Sequence, residues 1–221
     1  MPYQWRFDVV WEHLPFLLAG LGMTVLMTVL AMLGGLALGL VVALSRLGPW
    51  RPLQALAYGY TELFRTTPLL VQIIWIFYVL PLLTGIVLSP FASGLLALSL
   101  NVAAFVSEIY RAGITSIGPG QRQAGFALGM TPAQCLRRII LPQAVTRVIP
   151  PLASTWVSLF KDTSILAAIG VTELMFRARY MATETFRPLE IFTVAALVYF
   201  AITYPQSLAV NQLYRRFRTL E

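Results

Sequence analysis

Three long stretches without a charged residue constrain this chain more than any other feature: residues 14–45, 66–107 and 191–214. Hydrophobic residues make up 58% of the sequence and charged residues only 11%, whereas soluble domains carry about 25% charged residues. A helix needs about 20 apolar residues to cross the hydrocarbon core of a bilayer. The first and third stretches can each hold one span and the second can hold two, so we expect an all-α integral membrane protein.

Turn-forming residues divide these stretches, and a fifth candidate span follows the paired prolines Pro150 and Pro151. We expect the whole chain, 1–221, to form one transmembrane domain. Between the first two spans, "PLQALAYGYTELF" has apolar residues at helical spacing, which predicts a helix near the membrane surface. The predicted spans are approximately 14–45, 66–83, 91–111, 148–171 and 191–214.

The arginines indicate how these five spans are oriented, because cytoplasmic loops of membrane proteins carry an excess of positive charge. With the N-terminus outside and the C-terminus in the cytoplasm, eleven arginines lie on the cytoplasmic side and four outside. Residues 112–147 then form the largest cytoplasmic loop. The net charge of +7 is explained in this way without nucleic acid as a partner.

This loop contains a stretch rich in glycine, glutamine and arginine, "GPGQRQAGFALGMTPAQCLRRIILPQAVT" at 118–146. Its composition predicts a short helix closed by Gly129. A second helix follows, because Thr131 is a good cap, a proline comes next, and Gln134 occupies the glutamine position of a capping box. Pro142 cannot continue a helix without losing a hydrogen bond, so we expect the second helix to stop just before it.

The two short helices predict a knob that carries apolar side chains, among them Phe126 and Leu128, beside several arginines. Such a surface suits a groove on a partner protein. It also fits an ordinary interfacial loop whose arginines meet the phosphates of membrane lipid. Helix and turn signals do not decide between these two interpretations.

The spacing within the loop resembles the EAA loop of ABC importer permeases. That pattern reads EAA, three residues, G, nine residues, I, one residue, LP. The segments at 63–72, 108–117 and 158–166 are also similar to the polar amino acid uptake branch of this family. The matching loop residues, with the adjacent Met130, are Gln123, Ala124, Gly125, Gly129, Ile139, Leu141 and Pro142.

The resemblance implies a type I ABC importer permease fold in a bacterial inner membrane. It also implies a dimer of ATPase subunits that bind ATP and Mg²⁺, a second permease subunit, identical or homologous, and an extracytoplasmic amino-acid-binding protein. The loop would be the coupling helix that docks into a cleft on the ATPase. Gln123 stands where the family usually has glutamate, and Gly125 where it usually has alanine, so Gln123 can offer a hydrogen bond but no ion pair.

No catalytic site is predicted within this chain. The single lysine, Lys161, lies in an apolar run outside any P-loop, and the sole histidine, His13, precedes the first span. One histidine and one cysteine, Cys135, cannot form a metal cluster. We therefore expect a protein that is not an enzyme by itself and that binds no metal or cofactor of its own.

Lys161 and Asp162 interrupt an apolar segment, where ionisable groups usually face a bundle interior or a cavity. One interpretation is a translocation site in which the lysine helps to hold a carboxylate, which favours acidic amino acids such as glutamate or aspartate. The alternative is a structural pair with other helices or with the second permease. Glu108 and Arg111, three residues apart, are expected to pair with each other. The candidates for the substrate path are Asn101, Ser158, Lys161, Asp162, Thr163 and Ser164.

Two other classes of protein stay open at this point. A secondary transporter would need its own ion site and usually internal repeats or broken helices, and the five predicted spans show no obvious repeat. A channel or scaffold subunit would explain the spans and the charges but not the spacing in the loop. We therefore expect the transmembrane subunit of an ATP-driven importer for polar amino acids, coupled to its ATPase through residues 118–146.

Overall fold

The computed structural model describes residues 3–218, and of Arg218 the backbone alone. Within these residues the chain is helical and contains no β-strand, which confirms the predicted all-α class for this part of the chain. Two π-helical turns, Trp75–Val79 and Leu136–Ile140, each join two consecutive α-helices. The helices are α1 (Asp8–Glu12), α2 (Leu14–Leu47), α3 (Arg51–Thr66), α4 (Leu69–Ile74), α5 (Leu80–Thr84), α6 (Pro90–Thr115), α7 (Pro119–Ala127), α8 (Pro132–Cys135), α9 (Leu141–Asp162), α10 (Leu174–Thr185) and α11 (Pro188–Arg218).

Helices α2 and α6 form the centre of the bundle and approach each other closely. The approach depends on glycine, because a Cβ at Gly39 would lie 2.8 Å from Val106 Cγ1, and one at Gly35 would overlap Val102. Small residues of this kind let the backbones of membrane helices come near each other, so that van der Waals contact holds them together. The main apolar core is built around this pair.

Three helices in the described part of the chain are long and apolar enough to cross a membrane: Leu14–Leu47, Pro90–Thr115 and Pro188–Phe217. A fourth crossing is obtained if α3 and the helix Leu69–Thr84 count as one broken span, bent by 108°. The predicted number of five spans is not reached on length and apolarity, because Leu69–Thr84 is too short by itself and α9 is not among the helices that pass. The protein is a multi-pass membrane protein on either count.

The second loop helix does not stop before Pro142, and this prediction is wrong. In the π turn, the N–H of Leu141 donates to the carbonyl of Leu136, five residues earlier, and α9 then begins with Pro142 in its first turn. A proline at that position needs no N–H donor, so the chain stays helical from Pro132 to Asp162. The shift in hydrogen-bond register is what the sequence did not reveal.

The structure also differs from the predicted span at 148–171. Helix α9 ends at Asp162, and Thr163–Ile169 continues as a 3₁₀-helix that closes at Gly170, whose φ is +86°. Side chains with short polar groups, such as Thr163, favour such ends because they bond to nearby backbone. The predicted span is therefore two helical segments of different geometry.

A polar network holds the bend between α3 and α4. The Gln72 amide donates to the carbonyl of Phe64 at 2.9 Å and to Thr67 Oγ1 at 2.8 Å. Asn101 of α6 donates to the same Phe64 carbonyl at 3.1 Å and to Gln72 Oε1 at 3.0 Å. A bend at Pro68 leaves carbonyls at the end of α3 without helical donors, and these two amides satisfy them.

A buried carboxylate joins α10 to two other helices. Glu173 is fully buried and caps α10, accepting from the N–H of Phe176 at 2.6 Å and from the Tyr199 hydroxyl of α11 at 3.0 Å. Thr24 of α2 accepts from the N–H of Leu174 at 3.2 Å. These bonds fix the end of the bundle where α9 finishes.

Candidate functional site

Helix α7 ends in a motif that requires glycine. Gly129 has φ of +77°, a left-handed conformation in which a Cβ is strained. Its N–H donates to the carbonyl of Phe126 at 2.9 Å, and the N–H of Met130 donates to that of Gly125 at 3.1 Å. This pair of bonds is the Schellman motif, which satisfies the last carbonyls of a helix while the chain reverses.

The second helix begins as the sequence predicts. Thr131 Oγ1 accepts from the N–H of Gln134 at 3.3 Å, and Gln134 Oε1 accepts from the N–H of Thr131 at 2.9 Å. The predicted capping box is therefore confirmed. With the glycine turn before it, this cap fixes the angle at which the chain leaves α7 and enters α8.

Gly125 is the contact point between the two loop helices. It is buried, and a Cβ in its place would lie 2.9 Å from Cys135 Sγ and 3.0 Å from Ile139 Cδ1. Two positions of the predicted pattern, Gly125 and Ile139, thus meet directly across the turn. Glycine at position 125, where the family usually has alanine, leaves room for Cys135. No local sequence signal identified Cys135 as a neighbour.

The rest of the pattern lies on the surface of this knob, defined as residues 118–141. Gln123 and Ala124 are exposed on α7, Met130 is half-buried, and Leu141 and the adjacent Pro142 are exposed where α9 begins. Large apolar side chains are also exposed: Leu128 keeps 77% of its surface and Phe126 46%. The knob therefore has a rigid frame inside and an apolar surface outside, which a partner groove would cover.

Two side chains absent from the sequence prediction attach the knob to the helices. The Gln143 amide donates to Gln121 Oε1 of α7 at 3.5 Å, across the loop. Arg147 Nη1 donates to the carbonyl of Ser116 at 2.7 Å and to its hydroxyl oxygen at 2.9 Å, joining α9 to the end of α6. These contacts span the loop, so spacing along the sequence could not have identified them.

Glu108 and Arg111 pair as predicted, and a third residue joins them. The Arg111 guanidinium donates to both carboxylate oxygens of Glu108, and Arg46 at the end of α2 donates to Oε2. The Arg46 side chain is only 11% exposed. The cluster is a structural connection between α2 and α6, since each charge has an opposite partner.

The candidate residues near the end of α9 are placed differently. Ser158 and Lys161 are exposed, Asp162 is half-buried, and the three share one face of the helix by their spacing. Neither Lys161 nor Asp162 has a side-chain hydrogen bond or an ion-pair partner among residues 3–218. This face therefore carries one positive and one negative group that the described chain does not pair.

The other candidates are not brought to this face. Asn101 is engaged in the network at the bend of α3 and α4. Thr163 is buried, and its hydroxyl donates to the carbonyl of Phe160 at 2.8 Å. Ser164 is half-buried in the 3₁₀-helix. The structure thus separates Ser158, Lys161 and Asp162, which are exposed or half-buried on one face, from Asn101 and Thr163, whose side chains are bonded within the fold.

Comparison with known proteins gives consistent matches over nearly the whole chain. The family described as "Binding-protein-dependent transport system inner membrane component" matches residues 35–219. The glutamine transport system permease protein GlnP of Escherichia coli K12 is 35% identical over 222 residues, which is 100% of both chains. The L-cystine transport system permease protein TcyB of Bacillus subtilis is 41% identical over 203 residues, 91% of this chain and 86% of TcyB.

A solved structure shows the same fold. A chain from the crystal structure of an amino acid ABC transporter with histidines has a TM-score of 0.92 and 34% identity, covering 97% of this chain and 100% of its own. In this family the membrane subunit is a permease and the ATPase lies on separate subunits, so the chain is not itself an enzyme. The chain belongs to the binding-protein-dependent transport system inner membrane components and is an amino acid permease subunit of an ABC importer.

Proposed function

We propose that this chain forms the translocation path for polar amino acids in a bacterial inner membrane, with its N-terminus outside and its C-terminus in the cytoplasm. Residues 1–221 would act as one transmembrane domain. The arginine distribution supports this orientation. The relatives support the substrate class, since the two named above are permeases for glutamine and for L-cystine, and ArtQ of Bacillus subtilis is a permease for arginine.

The observation that carries the proposal is the knob at 118–141. Its inner contacts fix one conformation, while Phe126 and Leu128 remain exposed on its outside. We propose that a dimer of ATPase subunits, which binds ATP and Mg²⁺, accepts this surface in a groove. Gln123 would donate or accept a hydrogen bond at this contact, where a glutamate would form an ion pair.

The continuous helix from Pro132 to Asp162 connects the knob to the proposed translocation path. Closure of the ATPase dimer on ATP would displace the knob, and the packed helices would rock between outward and inward access. A second permease, identical or homologous, would complete the path, and an extracytoplasmic binding protein would deliver the amino acid.

We propose that the exposed face with Ser158, Lys161 and Asp162 lines this path, with Thr163 and Ser164 supporting its end and Asn101 stabilising the nearby bend. The Lys161 ammonium would hold a carboxylate of the substrate. A substrate with a second carboxylate would bind to Lys161 more strongly than one with a single carboxylate. This favours glutamate or aspartate over neutral amino acids. A structural pairing of Lys161 with the second permease is the alternative role.

Co-purification and transport together test this function. We expect the full chain, expressed with the ATPase of its own system, to retain that ATPase in mild detergent and to drive ATP-dependent uptake in vesicles with the binding protein present. Uptake that persists without ATPase would instead support a secondary transporter or a channel. A chain that retains no ATPase would contradict the proposed role of the knob.

The substrate can be found with the same reconstituted complex. Each amino acid is added with the binding protein, and the stimulation of ATP hydrolysis is measured. We expect glutamate or aspartate to stimulate most strongly. If only glutamine, cystine or arginine stimulates hydrolysis, the importer function stands but the proposed preference for glutamate or aspartate is wrong.

A further inference from the structure

An ion pair on the surface of α3 is used by none of the roles proposed above. Arg65 Nη1 lies 3.9 Å from Glu62 Oε1, one helical turn away. The two side chains keep 37% and 40% of their surface exposed. Within residues 3–218 neither side chain makes another ion pair or a side-chain hydrogen bond. Most of their hydrogen-bonding capacity is therefore open to a group outside the described chain.

The pair lies against a membrane span. The Arg65 guanidinium lies 5.7 Å from the centroid of the Phe105 ring, and the Tyr60 hydroxyl donates to the carbonyl of Leu100 at 2.6 Å. Both contacts are with α6, which is long and apolar enough to cross a membrane. Phe105 lies about 9 Å along the helix before the predicted end of that span at residue 111. Charged groups at such a depth face protein or water rather than lipid hydrocarbon.

The rest of α3 shows which side of the helix suits lipid. Thr61 is buried on the side that packs on α6. Leu56 and Leu63 share an exposed apolar side, with 71% and 57% of their surface uncovered. At about 100° per residue, Glu62 and Arg65 lie about 120° and 180° round the helix from Leu56. Lipid therefore suits the leucine side, and the charged side needs a different neighbour.

The two charges together indicate what that neighbour is. A lipid phosphate would suit Arg65 but would be repelled by Glu62 beside it. A second copy of the chain presents the same two charges, and in a two-fold interface the same patch of both copies meets itself. Both copies stand the same way up in the membrane, so Arg65 is about 4.5 Å along the helix from the level of Glu62 of the partner subunit. A guanidinium spans that offset, and opposite charges then meet in both directions.

We propose that two copies of this chain meet along the charged side of α3, where Glu62 of each copy pairs with Arg65 of the partner subunit. This inference rests on the proposed function, in which a second permease completes the path, and it makes that permease an identical copy. The four groups form a neutral cluster within the membrane, in which each carboxylate accepts from two guanidinium groups. The contact lies next to the bend at Pro68, so it joins the bent segments of the two copies.

Co-purification of two tagged copies tests the contact. The full chain is expressed with two different tags and purified through one tag in mild detergent, and the second tag is measured. We expect the unmodified copies to co-purify. Arg65→Glu places two negative groups on this side of α3, and Glu62→Arg places two positive groups there. Copies of either variant should retain their own kind at least about tenfold less, because like charges then meet across the interface.

A mixture of the two variants separates a contact between copies from one within a chain. When Arg65→Glu carries one tag and Glu62→Arg the other, like charges remain within each chain but opposite charges meet between chains. We expect this mixture to recover most of the association of the unmodified copies. An unrecovered mixture would assign the pair to the fold of a single chain or to a water-filled path and overturn the proposal, as would normal association of each variant with itself.

A matched control uses another exposed ion pair. Arg6 Nη2 lies 2.7 Å from Asp8 Oδ2 near the start of the chain, and Asp8→Arg breaks this pair as Glu62→Arg breaks the other. Asp8→Arg should leave the association of two copies unchanged. An equal loss in this variant would show that a change of net charge alone separates the copies and would contradict a specific contact.

Retention of the ATPase distinguishes failure of this inference from failure of the proposed function. Both are measured in the same purification, with the ATPase co-expressed. Unmodified copies that retain the ATPase but not each other would overturn the identical pair and leave the importer function in place. Copies that retain no ATPase would contradict the proposed function itself.

Discussion

The knob at 118–141 and the exposed face at the end of α9 both carry residues that the sequence singled out, but the structure treats them in opposite ways. In the knob, the inner residues meet one another, as Gly125 meets Ile139 and Cys135. At the end of α9, Lys161 and Asp162 have no side-chain hydrogen bond and no ion pair within the described chain. The knob is packed internally and exposes an apolar surface, whereas the end of α9 carries two charged groups that the described chain does not pair.

This difference shows what each kind of sequence signal reports. A fixed spacing reports geometry, because a glycine turn and a close helix contact each permit few residue types. A charge inside an apolar run indicates that the charged group has a partner, but it does not identify which residue or molecule that partner is. Substitutions at the knob glycines Gly125 and Gly129 should therefore act through shape, and substitutions at the end of α9 through charge.

The strongest effect is expected from Gly129→Val. A β-branched residue at a φ of +77° is strained by about 1–3 kcal/mol, so the turn should open and the apolar surface of the knob should move. We expect uptake in reconstituted vesicles to fall at least about tenfold, with normal membrane insertion. The matched control is Gly120→Ala, since Gly120 has ordinary backbone and no neighbour within 4 Å of a new Cβ. Full uptake by the valine variant would contradict the shape argument.

The next effect concerns the contact beneath the knob. Gly125→Val should overpack Cys135 and Ile139 at a cost of about 1–3 kcal/mol and push α7 away from the second helix. We expect weaker retention of the ATPase on co-purification. Combining it with Cys135→Ala should restore part of this retention, because the alanine removes the nearest atom. If the double variant is no better than the single one, Cys135 is not the relevant neighbour.

A smaller effect is expected at the end of α9. Lys161→Gln removes the charge and should lower uptake about fivefold, which corresponds to the loss of an exposed ion pair of about 1 kcal/mol. Retention of the ATPase should not change, whereas the knob variants change it. Lys161→Arg keeps the charge and should keep most of the uptake. Equal uptake in all three proteins would assign Lys161 to a structural role.

The smallest effect is expected from Gln123→Glu, which restores the residue usual in the family. Gln123 is exposed, so an ion pair there would add roughly 0.2–1 kcal/mol. We expect slightly stronger ATPase retention at low salt and no difference at high salt. A gain that does not depend on salt would show that the new group acts by packing rather than by charge.

Much of the fold follows from local signals in the sequence. The charge-free runs predicted the long helices α2, α6 and α11, and Thr131 with Gln134 predicted the capping box. The error at Pro142 has a clear cause. A proline removes one donor, but the π turn before it moves the hydrogen-bond register so that no donor is needed. Nothing local in "LRRII" signals that shift.

The two parts of the candidate site, the knob and the face at the end of α9, could be predicted from the sequence to different degrees. The spacing of the loop located the turn at Gly129 and the surface position of Gln123. It could not locate Cys135, Gln143 or Arg147, because their contacts lie across the turn or on another helix, as the bond from Gln143 to Gln121 does. Asn101 was a reasonable candidate by type, but its amide is used by the bend between α3 and α4, which depends on tertiary packing.

In the proposed transport cycle, the uninterrupted helix from Pro132 to Asp162 would act as a lever. At 1.5 Å per residue it is about 45 Å long, so a tilt of about 5° at the knob swings the far end by about 4 Å. A shift of that size is comparable to the width of a small side chain. Pro150 and Pro151 each remove a main-chain hydrogen bond, so this is where the lever bends first under load. In that cycle, the stiffness of the helix at Pro150 and Pro151 would determine how much of the displacement at the knob reaches Lys161.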